Sequence, residues 1–438
     1  MKRKVLSVML VAAMTASLFA GCGSSSSDSE SSNSAGSASG TEAEETQADA
    51  SGDEESSEFV ATAPSEDEIV IWVAETMVDM TKEYAESFLS ENGYDFSVRV
   101  EAVGEGDAAS NVITDVESAA DIFTFAQDQM ARLVSAGGLQ PLQTEYADWA
   151  AENHDASAVE AATSGDYMYA FPITADNGYF LYYDSSVITD PTSLEQIVAD
   201  CEAAGKNFYY AFTSWYEESF FFATGCSIEY TVDSAGTFTE ANIDIANDQG
   251  VVALNEMIEL ASSSSFQSSS SASSAVDYAA IIDGTWDSST IKAALGDNFA
   301  CAELPSFVGS DGETYHLSGF SGYKLLGIKP QTDADKLAAC YALAEYLSDT
   351  EVSLARFELA GWGPSNLEAQ QDEAVQSDEA LCAMAAQNAY NVVQGQYSTN
   401  YWSIMDTLGS DAANGTGGVE DCLTYLTDIQ EQLIADIE

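Results

Sequence analysis

The chain has 438 residues, with 73 acidic against 12 basic side chains and a formal net charge of −61. A field of that sign repels nucleic acid and anionic lipid, which argues against both as partners, and it disfavours strongly anionic ligands unless Arg99, Arg132 or Arg356 is locally concentrated. The only two histidines, His154 and His316, lie far apart and no cysteines are spaced as CxxC, so neither a metal centre nor a cofactor site is expected.

At the N-terminus, Lys2, Arg3 and Lys4 precede an apolar run from Val5 to Ala20 and then Gly21-Cys22. A charged start, a short apolar core and small residues at the break have the form of a secretory leader, too short for a membrane helix. The cysteine directly after Ala20-Gly21 resembles a bacterial lipobox. Cys22 is therefore expected to carry lipid and begin the mature chain, with Phe19 standing where Leu or Val is usual. Without residues 1–21 the chain carries −64. Residues 22–63 are rich in Ser, Gly, Ala, Asp and Glu, lack Lys and Arg, and read as a disordered tether. Such a coil reaches on the order of 35 Å.

Beyond the tether, apolar runs alternate with helical periodicity. Strands are predicted at Glu68–Val73, Phe96–Val100, Asp121–Phe125, Tyr179–Tyr183, Ala279–Ile282 and Lys324–Ile328. Helices are predicted near Asp79–Leu89, from Asp128 to the Gly137-Gly138 stop, over Leu194–Ala204 and over Val251–Leu260. The Ser-rich stretch 262–274 reads as a surface loop. Thr332 with Asp335 suggests the cap of a helix burying Leu337, Cys340, Tyr341, Ala344 and Leu347. The last sixty residues read as helices alone. Alternating strands and helices predict an α/β fold with parallel sheets covered on both faces. Cys340 in that helix and Cys301 in a strand read as buried thiols.

Eight fragments resemble, in order, extracellular solute-binding proteins of the maltose-binding type that serve ABC importers. They are EIVIWVAE (68–75), DIFTFAQDQMARLVSAGGLQPL (121–142), YAFPITADNGYFLYYD (169–184), AAIIDGTW (279–286), ELPSF (303–307), SGYKLLGI (321–328), GWGPSN (361–366) and NYWSIMDTLGSDAANG (400–415). The resemblance implies a two-lobed fold of the periplasmic-binding-protein type, with a hinge and a ligand cleft between the lobes. It places lobe 1 at 64–174 plus 322–361 and lobe 2 at 175–321 plus 362–438. The chain would cross between them near Thr174–Asp176, Leu317–Gly322 and Gly361–Ser365. It further implies a monomer, lipid-anchored on the outer face of a bacterial membrane, that closes on a neutral oligosaccharide and delivers it to ABC permease subunits. The favoured ligands are maltodextrins.

A pyranose has an apolar C–H face and a rim of hydroxyls, so aromatic rings and carboxylates are the groups to seek. By resemblance, Trp286 after IIDGT and Trp402 in NYWS match stacking aromatics. Phe125 stands where the family often has Trp, and Asp128 matches a hydroxyl-binding Asp. Gln129 replaces the Arg that often follows that Asp. Asp176 after FPIT matches another acidic ligand. Trp215, Tyr216 and Glu217 correspond to a loop with one carboxylate and one aromatic. Glu75 follows the first strand, where a polar contact is expected, and Trp362 would line the rim. Trp72, mid-strand, reads as core. The competing classes are a receptor for another oligosaccharide or a sugar alcohol, a surface adhesin, and a surface glycoside hydrolase. The last would draw an acid and a base from Asp128, Asp176, Glu217 and Asp283. No GxSxG elbow or phosphate loop is present, and the chain is read as a non-enzyme.

Overall fold

A computed structural model describes residues 61–269, 271–415 and 421–437. The leader, Cys22 and all of the tether except 61–63 lie outside the described residues. Among the described residues no helix is long and apolar enough to cross a membrane.

Two five-stranded sheets carry the architecture. The first runs in the order Ser97–Ala102, Glu68–Val73, Ile122–Ala126, Lys324–Ile328, Ala170–Thr174. The second runs Phe266–Gln267, Asn207–Tyr209, Tyr278–Asp283, Phe180–Asp184, Phe299–Ala302. Burial on both faces explains why these strands are apolar runs rather than alternations: Ile69 to Val73 and Tyr278 to Asp283 are buried throughout. Trp72 is fully buried.

The sheets are mixed, which corrects the expectation of parallel ones. Lys324–Ile328 runs antiparallel to both its neighbours, and Phe180–Asp184 does the same in the second sheet. Connectivity supplies the reason. Ala170–Thr174 leaves the first sheet at the edge facing the second, and only five residues follow before Phe180 enters the other sheet. A chain that crosses so directly must run back from the shared edge, against the strands that end there. Phe320–Tyr323 makes the return crossing ahead of Lys324 in the same way.

Each sheet has its own apolar core. One includes Ile69–Val73, Phe123, Phe171, Leu325, Leu343 and Leu347, and the other Leu181, Phe208, Phe220, Ile282, Met405 and Leu426. A smaller cluster lies around Phe180, Tyr182, Ile281 and Met384. The connecting segments bond to one another: Ala175 N donates to Gly363 O (3.0 Å) and Asn177 N to Gly322 O (3.2 Å), while Thr174 bridges Pro364.

Two local expectations change. The helix Ala334–Leu347 is capped by Asp333, whose carboxylate accepts from Asp335 N and Lys336 N, rather than by Thr332. The last sixty residues are not helical alone, because Val392–Val393 pairs in parallel with Phe320–Ser321. Cys301 is half-buried and Cys340 fully buried, neither in a disulfide. A hairpin that the sequence pattern did not disclose, Ser227–Val232 with Phe238–Asp244, packs Ile228 and Ile243 into the second core.

Candidate functional site

Parallel strands of both sheets end at a common edge, and three of them turn there into short 3-10 segments. Glu75–Met77 follows Glu68–Val73, Gln127–Gln129 follows Ile122–Ala126, and Thr285–Asp287 follows Tyr278–Asp283. These turns face a cavity of about 640 Å³. One wall holds Ala74, Thr76, Ala126 and Asp128, and the other Trp215, Trp286 and Asp287. Crevices beyond strand ends are where α/β sheets hold ligands.

Four tryptophans line the cavity. Trp215 and Trp286 stack at 6.0 Å with planes 26° apart. Trp215 lies against Phe320 at 6.3 Å and 15°. Trp402 opens the helix Tyr401–Asn414 and meets Tyr397 edge-on at 5.2 Å. Trp362 follows Gly361, the left-handed residue that ends the helix Thr350–Ala360. The fold of Trp286 depends on Gly284: a Cβ there would lie 2.1 Å from the indole ring, so only glycine lets the ring lie back over the strand end.

The polar lining is sparse and specific. Asp128 is buried, hydrogen-bonded to the Trp402 indole and near Arg132; burial raises its carboxyl to about 7 although both neighbours pull it down. Gln129 donates to Gly106 O (2.7 Å) and accepts from Ala109 N (3.3 Å), so its amide holds the Gly106–Ala109 turn. Arg132 Nε is buried without a hydrogen-bond partner among the described residues. A second cavity of about 620 Å³, lined by Phe238, Thr237 and Ile437, shares Ser110, Arg132 and Thr399 with the first.

The structure thus brings Asp128, Trp215, Trp286, Trp362 and Trp402 to one cavity. Glu75 is exposed on the 3-10 turn between two lining residues, Ala74 and Thr76. The remaining expected ligands stand elsewhere. Phe125 is fully buried in the first core, its ring against the face left open by Gly327; the alternation of the strand sends Ala126, not Phe125, to the cavity. Asp176 accepts from Thr285 Oγ1 and Gly363 N, both at 2.6 Å, and so ties crossing segments together. Tyr216 is buried behind Trp215, against Tyr179. Glu217 is fully buried; burial and the adjacent Glu218 raise its carboxyl well above the usual range. Glu218 accepts from Tyr401 Oη at 2.9 Å.

Lys324 was not expected at the site. It is buried at the first position of its strand, with Nζ 3.7 Å from the Trp362 ring centroid and 5.5 Å from that of Trp286. A basic residue heading an apolar strand, in a chain with so few, was the available signal.

Residues 83–383 match the family described as bacterial extracellular solute-binding proteins. Solved structures share the fold. A protein solved with acarbose has a TM-score of 0.75 and 24% identity, covering 85% of this chain and 100% of its own. The maltodextrin binding protein of L. casei BL23, without ligand, has 0.70 and 23%, covering 84% and 98%. The maltose-maltodextrin binding protein of Alicyclobacillus acidocaldarius has 0.68 and 18%, covering 83% and 99%. No curated protein matches the chain by sequence.

Proposed function

The chain belongs to the bacterial extracellular solute-binding family, and we propose that its solute is a neutral oligosaccharide of the maltodextrin class. The observation that carries this reading is the cavity lined by four tryptophans, with Asp128, Asp287 and Asn177 among them. Rings offer flat apolar faces to pyranose C–H surfaces, and carboxylates and amides take the hydroxyls at the edge. The relatives named above as maltodextrin binding support the same class.

On this reading residues 64–174 plus 322–361 form one lobe and 175–321 plus 362–438 the other. Contacts from both walls exist only when the lobes meet, so ligand shifts the chain toward a closed form. That form would be recognised by ABC permease subunits, with a lipid on Cys22 and the acidic tether holding a monomer at the outer membrane face. The family and the relatives named above are binding proteins, which favours binding over hydrolysis. Of the four carboxyl groups named above for a hydrolase, Asp176, Glu217 and Asp283 are buried outside the cavity lining, while Asp128 lines it beside Glu105 and Asp287.

Calorimetric titration of the chain lacking residues 1–21 tests the proposal, using maltotriose, maltoheptaose, xylotriose, cellotriose, mannotriose and a fructo-oligosaccharide. Saturable binding of the two α-glucans without cleavage is expected. Binding of another sugar or a sugar alcohol alone would replace the ligand class, and cleavage of any would overturn the non-enzyme reading.

A further inference from the structure

Three lysines are buried among the described residues, and they are treated differently. Lys329 Nζ donates to Ala119 O at 2.7 Å, and Lys336 Nζ pairs with Asp121 at 3.0 Å. Lys324, 6% exposed, has ring faces beside its ammonium and no hydrogen-bond or carboxylate partner among the described residues. An ammonium has three donors, and aromatic faces offer attraction without lone pairs to satisfy them. The Lys324 stem is buried while the ammonium opens on the tryptophan cavity that the residue lines, where solvent or a ligand can take its donors.

We propose that Lys324 is a ligand-binding residue that donates to adjacent hydroxyl oxygens of a pyranose seated against Trp286 and Trp362. The inference rests on the oligosaccharide reading and names the group that selects the sugar unit at that position. Strand direction supports it: Lys324 is the residue at which its strand enters the first sheet from the shared edge, so the ammonium is presented where a ligand would bridge both walls. The charge balance of the lining argues for a neutral acceptor. Asp128, Glu105 and Asp287 accompany Arg132 and Lys324 around the cavity, so a carboxylate ligand would meet no net positive field. A hydroxyl can accept from Lys324 while it donates to a neighbouring carboxylate. A cationic amino sugar at this position would be repelled by the ammonium.

The test is calorimetry with maltotriose on the wild-type chain, Lys324→Met and Lys324→Gln, with thermal unfolding of each ligand-free form. Hydrogen bonds to a charged donor are worth a loss of about tenfold to a hundredfold in affinity in both variants. The ligand-free Lys324→Met chain is expected to melt close to the wild-type temperature, because the ammonium opens on the cavity and holds no oxygen partner among the described residues. Unchanged affinity in both variants, with wild-type chain binding maltotriose, overturns this inference alone. A lower melting temperature with unchanged affinity would make Lys324 a structural prop for the rings. Failure of the wild-type chain to bind any sugar of the panel would remove the oligosaccharide reading and this inference together. The glutamine variant keeps the test open if the methionine variant does not fold.

Discussion

Gly236 offers the sharpest test of how the two halves of this chain meet. It lies in the turn of the hairpin Ser227–Asp244, whose strands pack on the second core, yet its Cα faces the helix Met130–Ser135 of the first. A Cβ on Gly236 would sit 2.1 Å from Ala131 O and 2.9 Å from Ser135 N. Real Cβ contacts essentially never fall below 3.0 Å, so Gly236→Ala must push the hairpin tip and the helix apart by about 0.9 Å. The residue also has φ +79°, which costs a non-glycine residue roughly 1–2 kcal/mol wherever the halves stand.

These two effects can be separated. Gly225 has φ +90° with nothing within 4 Å of its would-be Cβ, so Gly225→Ala carries the backbone strain without the clash. Both variants should lose about 2–4 °C per kcal/mol of stability in a calorimetric melt. With the hairpin–helix contact assigned to the closed form, only Gly236→Ala should weaken maltotriose binding, by about tenfold, from overpacking of about 1–3 kcal/mol. Small-angle scattering at saturating maltotriose should show the Gly236→Ala chain expanded relative to sugar-saturated wild type, with the ligand-free forms alike. Equal affinities for the two variants, with an unchanged radius of gyration, would refute the idea that this contact belongs to the closed form.

Trp286→Ala and Trp402→Ala should each lower sugar affinity by at least tenfold, the first with the ligand-free fold intact and the second with some loss of stability, since Trp402 also packs on the second core. Their tryptophan fluorescence response to ligand should shrink in parallel; full response in both would remove them from the site. Asp128 should make binding pH-dependent. Its carboxyl is raised to about 7, so the stability it confers is complete below the unfolded value of 3.8 and lost as pH rises through about 7. Ionised, it accepts sugar hydroxyls better, so affinity should climb between about pH 6 and about pH 8, and Asp128→Asn should flatten that climb. Phe125→Ala should cost about 3–5 kcal/mol of unfolding free energy with sugar affinity little changed, the reverse of the pattern for a cavity residue.

What was legible without coordinates was set by local chemistry. Two-face burial demands unbroken apolar strands, so EIVIWV and KLLGI announced themselves, and helix stops such as Gly137 and Gly205 follow from backbone freedom alone. The family order of eight fragments pointed to the fold and to the tryptophans, because rings in otherwise polar turns after strands stand out. Helices such as Thr144–Asn153 and the hairpin Ser227–Asp244 escaped notice, since short half-exposed segments carry little periodicity.

Tertiary structure decided the rest. A single strand places neighbouring side chains on opposite faces, so Ala126 reaches the cavity and Phe125 the core, though both occupy the same strand end. Asp176 after FPIT matches a ligand by resemblance, and the structure adds that Thr285 and Gly363, 109 and 187 residues away, bond to its Oδ2. Lys324 became conspicuous only when Trp286 and Trp362 were brought beside it, with no oxygen partner among the described residues. Sequence determines which residue types stand at strand ends. Which of them face a ligand depends on partners supplied by remote segments, and only the assembled chain brings those together.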